Sequence, residues 1–180
     1  MVYCYLANGF EEIEALATVD ILRRANIEVR TVGIGEDIIH GAHHMLVLPD
    51  IRENDVILDD NVDAIILPGG MPGTLNLQKS KDVQKAIDFA TENDKYICAI
   101  CAAPLILGHR GNLEGRKATC YPGFEKDLIG ADVTGNSVED DGKFITGKGA
   151  GVAIDFALRI VEKLVSKEEA DKINASVQSK

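Results

Sequence analysis

Cys101 is the residue of this sequence best suited to nucleophilic chemistry. It follows the apolar run 96–100 and precedes the small residues and proline of 102–104. That order predicts a buried strand that turns sharply into a helix, an elbow like the one that presents the serine of hydrolases. A thiolate exposed at such an elbow adds to electrophilic carbon and is also the form of cysteine that peroxides oxidise.

Activation of the Cys101 thiol needs more than the elbow. A free cysteine has a pKa of about 8.5, so only a few per cent of it is thiolate at neutral pH. A helix N-terminus stabilises a nearby negative charge by about 0.3–1 kcal/mol, or up to ~2 kcal/mol when partly buried, which is roughly one pKa unit or less. We therefore expect a second group that donates a hydrogen bond to the sulfur.

Two other interpretations of Cys101 are open. Buried cysteines commonly serve as small apolar residues of a core. A redox pair with Cys98 is disfavoured by geometry, because that motif belongs at the start of a helix and Cys98 is expected inside the strand. The position of Cys101 at a strand end favours the reactive interpretation.

A glycine-rich loop is predicted to lie beside Cys101. Residues 63–67 form a buried strand that ends in the sequence PGGMPG at 68–73. In an open parallel α/β sheet the ligand site lies outside the carboxyl ends of the strands, where this loop and Cys101 both fall. The glycines let backbone N–H groups approach a ligand closely, so we expect a cradle for an anion or oxyanion.

The elements that position these groups alternate between strands and helices. The pattern begins with a β-α-β unit and predicts one domain over residues 1–180, a doubly wound α/β sandwich with a mostly parallel sheet and helices on both faces. Strands are predicted at 2–7, 27–34, 63–67, 95–100 and 117–121, a hairpin at 137–146, and helices at 11–25, 82–93, 105–109, 151–165 and from 167 onward. Residues 37–49 predict a small hairpin outside the main sheet.

The composition favours a protein that avoids polyanions. Of the 180 residues, 46% are hydrophobic, and the formal net charge is -10 with a pI of about 4.8. This charge repels phosphate backbones and anionic membrane surfaces, so we expect neither nucleic acid nor a membrane as a partner. The first residues start a strand without a basic leader, and we expect a cytoplasmic location with four reduced cysteines.

Several motifs of the sequence resemble the ThiJ/PfpI superfamily. They are AICAAP at 99–104, LPGG at 67–70 and GFEEIE at 9–14, and the similarity continues through TCYP at 119–122 and TGKGAG at 146–151. Together they span nearly the full chain and are most similar to the branch of the parkinsonism-associated protein deglycase and its bacterial ThiJ-like relatives. The superfamily name also refers to thiazole biosynthesis, but no residue here supplies thiazole chemistry.

The resemblance implies a flavodoxin-like fold, a homodimer and a reactive Cys101. It also implies that the Glu14 carboxyl group hydrogen-bonds the sulfur, and that the backbone N–H groups of Gly69, Gly70 and Ala102 form an oxyanion pocket. A carboxyl group buried among apolar residues has the raised pKa that keeps it protonated, so that it can donate to a thiolate.

Two positions depart from the family pattern. Protease-like members carry a histidine directly after the nucleophile, whereas this sequence has Ala102, which removes the base that a Cys-His peptidase needs. In the deglycase branch a histidine often stands where this sequence has Tyr121. A phenol with a pKa near 10 cannot act as a base at pH 7, so Tyr121 is expected either to donate a hydrogen bond or to be a half-buried strand aromatic.

Other ionisable residues near these motifs have more ordinary interpretations. Glu11 and Glu12 are expected to be solvated on the first helix. Cys4 and Cys98 are expected in strands of the core, whereas Cys120 is a candidate oxidation partner near the site.

A histidine cluster lies in the predicted hairpin outside the sheet. It consists of His40, His43 and His44. The cluster lacks a carboxylate or thiolate at ligand spacing, so we expect no metal site, and no motif calls for a cofactor.

Two functions are consistent with a reactive Cys101. As an enzyme, the protein is expected to be a glyoxalase or deglycase whose thiolate adds to a 2-oxoaldehyde, such as methylglyoxal or glyoxal, or to its early adduct with a protein amine or thiol. Glu14 then assists proton transfer before water releases a hydroxyacid. As a non-enzymatic sensor or redox chaperone, the protein is expected to respond to oxidative stress through oxidation of Cys101 to the sulfinate.

Overall fold

Strands and helices alternate along residues 1–179, the part of the chain that the computed structural model describes. The strands are β1 Val2–Leu6, β2 Val29–Gly33, β3 Ile39–His40, β4 Leu46–Val47, β5 Ile51–Arg52, β6 Ala64–Leu67, β7 Tyr96–Ile100, β8 Lys117–Ala118, β9 Asp132–Val133, β10 Val138–Asp141 and β11 Phe144–Gly147. The α-helices are α1 Glu12–Arg24, α2 Gly73–Lys79, α3 Lys81–Glu92, α4 Pro104–His109, α5 Ala153–Leu164 and α6 Lys167–Ser176. None of these helices is long and apolar enough to cross a bilayer.

The central sheet has seven strands in the order β10-β11-β7-β6-β1-β2-β5. Its neighbouring strands are parallel, except that β10 and β11 form the predicted antiparallel hairpin. Parallel neighbours need long crossover connections. Helices lie in most of these connections, whereas the one from β2 to β5 carries the β3–β4 hairpin. The predicted doubly wound, mostly parallel α/β architecture is confirmed.

The parallel strands bury side chains on both faces of the sheet. In β1, Tyr3 and Tyr5 belong to the core formed with α2, α3 and α4, whereas Cys4 and Leu6 belong to the core formed with α1, α5 and α6. Residues of β6 and β7 alternate between the two cores in the same way. Burial on both faces is the reason that these strands are continuous apolar runs in the sequence.

Helix α1 starts at a carboxylate cap and ends at a left-handed residue. The Glu11 carboxylate accepts a hydrogen bond from the Glu14 N–H at 2.7 Å, which satisfies a backbone donor of the first turn. After the helix, Asn26 adopts a φ of 56°, a left-handed conformation that ends helices. The cap holds Glu14 in the first turn of α1, near the carboxyl end of β1.

Helix α2 is an element that the sequence does not predict. Gly73, Thr74 and Asn76 are weak helix formers, so propensity alone does not favour a helix there. The helix nevertheless buries Leu77 completely in the core. Tertiary packing therefore stabilises this short helix.

Residues 117–121 form a shorter strand than predicted. Strand β8 ends at Ala118, and the N–H of Thr119 donates to the hydroxyl of Thr146 at 2.9 Å instead of to a strand neighbour.

The predicted hairpin at 37–49 forms as β3 and β4, whereas the edge strand β5 is an addition that the sequence does not predict.

Candidate active site

Cys101 lies at the elbow between β7 and α4, with a backbone φ of 66°. A non-glycine residue in this left-handed region costs roughly 1–2 kcal/mol, and such strain persists where surrounding contacts hold it. The Cys101 N–H donates to the Gly147 carbonyl, and the Cys101 carbonyl accepts from the Tyr121 N–H, each at 2.8 Å. These two bonds hold the predicted strand-to-helix elbow in place.

The structure brings the Glu14 side chain to Cys101. Glu14 is only 1% exposed, although it belongs to the first turn of a helix. Its Oε2 accepts a hydrogen bond from the Gly69 N–H at 2.9 Å, whereas its Oε1 is buried without a hydrogen-bonded partner. One oxygen of the buried carboxyl group is therefore held by a backbone donor, beside the Cys101 side chain.

Glu14 and Cys101 shift each other's pKa. Burial raises the pKa of Glu14 to about 7, while hydrogen bonds with Cys101 and with the Gly69 N–H oppose the rise. Burial and the facing carboxylate raise the pKa of Cys101 to about 12, against the lowering effect of the Ala102 and Gly70 N–H groups. The pair therefore holds one proton between its two members over the intervening pH range.

The effect of Glu14 on the Cys101 thiol depends on whether Glu14 is protonated. We expect a second group to lower the pKa of Cys101 by donating to its sulfur, but an ionised Glu14 raises that pKa because two negative charges would face each other. Only a protonated Glu14 can favour the thiolate, because its O–H can then donate to sulfur. Nucleophilicity of the pair thus depends on which of the two groups holds the proton.

The backbone donors of the site divide between the two side chains. The N–H groups of Gly70 and Ala102 lower the pKa of the Cys101 thiol. The Gly69 N–H donates to Glu14 instead. The prediction that Gly69 contributes to an oxyanion pocket is therefore wrong, because its donor is already used to orient the carboxyl group.

The glycine-rich loop packs too closely on the site for a side chain at its first glycine. A Cβ at Gly69 would lie 2.6 Å from the Cys101 Cβ, 2.6 Å from Glu14 Oε2 and 2.9 Å from the Ile100 carbonyl oxygen. The next residue, Gly70, has a φ of 89°, which glycine adopts without strain. The loop thus packs closely against a carboxyl group and a thiol, and its expected role as a cradle for an anion or oxyanion stays a prediction.

Tyr121 lies beside Cys101 but outside any strand. Its side chain is 51% exposed, and a Cβ added at Gly149 would lie 3.2 Å from its ring atom Cδ2. The interpretation of Tyr121 as a half-buried strand aromatic is therefore wrong. Within residues 1–179 its hydroxyl has no hydrogen-bonded partner, so its expected role as a donor stays a prediction.

The other cysteines are more buried than Cys101. Cys4 and Cys98 are fully buried in strands, as predicted, and burial raises the pKa of Cys4 to about 12 and the pKa of Cys98 as well. Burial also raises the pKa of Cys120 to about 11. All four cysteines are free thiols, and Cys101 alone among them is half-buried.

Glu12 is buried, so the prediction that Glu11 and Glu12 are both solvated is wrong. Glu12 is 3% exposed; its Oε1 accepts from the His43 N–H at 2.7 Å, and its Oε2 lies 2.9 Å from His43 Nδ1. Burial raises the pKa of Glu12, but the hydrogen bonds with His43 outweigh it and the net pKa falls below its ordinary value. Glu11 is half-buried because its carboxylate caps α1.

The histidine cluster meets carboxylates that sequence spacing did not reveal. Glu11, Glu12 and His43 offer ligand atoms that all lie within 4.8 Å of one another. The premise that no carboxylate lies near the histidines is therefore wrong, since Glu12 is 31 residues from His43 along the chain. The hydrogen bond between Glu12 and His43 attaches the β3–β4 hairpin to the start of α1.

A family model decides the relationship of this chain to known proteins. The model for the DJ-1/PfpI family matches residues 1–163. The chain belongs to the DJ-1/PfpI family. It is 36% identical over 172 residues to Protein DJ-1 homolog B of Arabidopsis thaliana, an alignment that covers 94% of this chain but only 39% of that protein. It is also 30% identical over 165 residues to Glutathione-independent glyoxalase DJR-1.2 of Caenorhabditis elegans, covering 91% of this chain and 87% of that protein.

Solved structures of DJ-1 proteins share the whole fold. Toxoplasma gondii DJ-1, in a structure described as oxidized, superposes with a TM-score of 0.93 at 34% identity, covering 98% of this chain and 97% of that chain. Drosophila melanogaster DJ-1beta superposes with a TM-score of 0.92 at 32% identity, covering 98% of this chain and 96% of that chain. The predicted membership of the ThiJ/PfpI superfamily and the flavodoxin-like fold are both confirmed.

Proposed function

We propose that this DJ-1/PfpI member is a cysteine-dependent glyoxalase or deglycase that acts on 2-oxoaldehydes such as methylglyoxal and glyoxal, or on their early adducts with protein amines and thiols. The observation that carries the proposal is the Cys101–Glu14 pair, a nucleophile beside a buried carboxyl group that shares its proton. Conversion of a 2-oxoaldehyde to a hydroxyacid needs a nucleophile and a proton carrier together. The name of the Caenorhabditis elegans relative, a glyoxalase, supports the proposed activity.

The first step is addition of the Cys101 thiolate to the aldehyde carbon. The new C–S bond displaces the carbonyl π electrons onto oxygen. The N–H groups of Gly70 and Ala102, which favour negative charge at the Cys101 sulfur, also stabilise the negative charge on this oxygen. The oxyanion takes the proton that Glu14 holds. The product is a hemithioacetal, and Glu14 is left as a carboxylate.

The second step is an internal transfer of hydrogen between the two carbons. The Glu14 carboxylate removes the C–H proton of the former aldehyde carbon, and the electron pair forms an enediolate with the adjacent ketone. Return of the proton to the former ketone carbon, together with transfer of the hemithioacetal O–H proton to the neighbouring alkoxide oxygen, gives a 2-hydroxyacyl thioester on Cys101. Water then hydrolyses the thioester to the hydroxyacid and the free thiol, so the aldehyde carbon is oxidised, the ketone carbon is reduced, and no external oxidant is consumed.

Peptidase chemistry has less support from the same site. A cysteine protease needs a histidine that takes the thiol proton and later protonates the leaving amine. Ala102 follows Cys101, and the carboxyl group of Glu14 occupies the place of a base. The site therefore favours proton transfer at carbon over amide cleavage.

The test is formation of lactate from methylglyoxal by the wild-type chain, by Cys101→Ala and by Glu14→Gln. Cys120→Ala is a matched control, because it removes a different cysteine from the same protein. We expect turnover by the wild type and the control, and its loss in the two site variants. Undiminished turnover by either site variant would sink the proposal.

A second candidate function uses the same thiol without turnover. Cys101 is half-buried while the other three cysteines are buried, and two N–H groups face its sulfur, an arrangement that suits a sulfinate. We propose oxidation of Cys101 as a stress signal in this case. Mass spectrometry after mild peroxide is expected to show two added oxygens on Cys101 alone, and modification spread evenly over the four cysteines would argue against it.

We also propose that the protein is a homodimer. Large apolar side chains are exposed on α1 and on the β3–β4 hairpin, among them Ile13 at 57% and Met45 at 56%, and these two line one cleft. Exposed apolar clusters of this kind mark protein interfaces. Light scattering is expected to give twice the 19.4 kDa of the chain and a monomer for Ile13→Asp; a monomeric wild type would contradict the proposal.

A further inference from the structure

A cleft of about 330 Å³ opens next to the elbow that carries Cys101. One wall consists of Tyr121 and Pro122, and the other consists of residues 148–152. Neither Cys101 nor Glu14 lines the cleft, and the reaction steps above assign it no role.

Both walls of the cleft are attached to the backbone of Cys101. The Tyr121 N–H donates to the Cys101 carbonyl at 2.8 Å. The Cys101 N–H donates to the carbonyl of Gly147, one residue before the second wall begins, also at 2.8 Å. The cleft is therefore held at a constant position relative to the nucleophile.

The walls present mainly apolar surface, with one cation among their residues. The Tyr121 ring is half-exposed and packs at one edge against the backbone of Gly149. Pro122 and Val152 add apolar groups. The single cation, Lys148, donates to the Gly135 carbonyl at 3.0 Å, so its ammonium group is already engaged.

We propose that this cleft binds the substituent on the ketone carbon of the 2-oxoaldehyde and selects aryl and long alkyl substituents over methyl. The inference rests on the proposed function, because it concerns the substrate that Cys101 attacks. A methyl group contacts little of the cleft, whereas an aromatic ring buries apolar area against Tyr121, Pro122 and Val152. One added methylene in an apolar pocket already changes kcat/KM by roughly tenfold or more.

The test compares kcat/KM for phenylglyoxal with kcat/KM for methylglyoxal in the wild type, Tyr121→Ala and Tyr121→Phe. Because the two aldehydes differ in intrinsic reactivity, the readout is the ratio of the two constants in each variant relative to the wild type. We expect Tyr121→Ala to lower the ratio by about tenfold. Tyr121→Phe keeps the ring and loses only the hydroxyl, so we expect it to keep the wild-type ratio within about twofold.

Each outcome decides the inference. Tyr121 is exposed, so its truncation opens no cavity in the core, and the melting temperature of the variants checks this directly. An unchanged ratio in Tyr121→Ala, or an equal loss for both aldehydes, overturns the inference and leaves the proposed function standing. Absence of turnover for both aldehydes in the wild type overturns the proposed function and the inference together.

Discussion

The Gly69 N–H donates a hydrogen bond to Glu14 Oε2 at 2.9 Å. This bond joins two residues that are 55 positions apart and orients a buried carboxyl group beside Cys101. A glycine that a sequence motif suggests as an oxyanion donor therefore positions the carboxyl group of Glu14.

Glu14→Gln is expected to separate positioning from proton transfer. The amide oxygen of glutamine can still accept from the Gly69 N–H, but the side chain cannot carry the shared proton. We expect kcat/KM for methylglyoxal to fall by roughly 10²–10⁴-fold, the range for loss of a general acid or base. Lactate formation measures the change, and a variant within tenfold of the wild type would show that Glu14 carries no proton in the reaction.

Burial of Glu14 is expected to make stability fall as pH rises. The carboxyl group titrates near its ordinary value of 4.5 in the unfolded chain and near 7 in the folded protein. Between these values the folded state binds more protons than the unfolded state, so the free energy of unfolding decreases with rising pH, by up to about 3 kcal/mol.

Urea unfolding of the wild type and of Glu14→Gln across this pH range measures that loss. Other titrating groups are common to both proteins, so the difference between the two free energies isolates Glu14. The wild type is expected to lose stability relative to the variant as pH rises. A difference that does not change with pH would contradict the raised pKa.

Gly69→Ala is expected to damage both packing and activity. Its Cβ would lie 2.6 Å from Cys101 Cβ and from Glu14 Oε2, so the loop or the pair must move, at a cost of about 1–3 kcal/mol in unfolding free energy. Gly151→Ala is the matched control for stability, because a Cβ there meets no atom within 4 Å. Equal stabilities of the two alanine variants would refute the tight packing at Gly69.

Replacement of Cys101 by glycine is expected to relieve the backbone strain at the elbow, whereas replacement by alanine is not. Residue 101 has a φ of 66°, which glycine adopts freely and alanine does not. We expect Cys101→Gly to be more stable than Cys101→Ala by about 1 kcal/mol, although glycine usually destabilises a chain relative to alanine. Chemical denaturation gives the comparison, and an alanine variant that is as stable as the glycine variant would mean that the elbow is unstrained.

The contact of His43 with Glu12 is expected to appear in the titration of the imidazole. The hydrogen bond and the negative charge of Glu12 raise the pKa of His43 above its ordinary value of 6.5. Proton NMR of the ring is expected to show the pKa returning toward that value in Glu12→Gln. Glu11→Gln is the graded control, because Glu11 contributes less to the shift, and an equal effect of the two changes would contradict the geometry.

Local patterns in the sequence were sufficient to predict most elements of this fold. The apolar runs of β1, β6 and β7 are buried on both faces, and helices α1, α3 and α5 follow their helical periods. The elbow at Cys101 was predictable because the strand ends in small residues followed by a proline. The carboxyl group of Glu14 was predictable only through the family resemblance, since its spacing in α1 does not distinguish it from its acidic neighbours.

The sequence by itself thus determined the central strands β1, β6 and β7 and the elbow that carries Cys101, because these depend on residues close together along the chain. Only the tertiary structure decided that the Gly69 N–H serves Glu14, that Glu12 is buried against His43, and that an ionised Glu14 raises the pKa of Cys101. Hydrogen bonding, desolvation and Coulomb interaction depend on distances in space between residues far apart in sequence, and no local pattern encodes those distances.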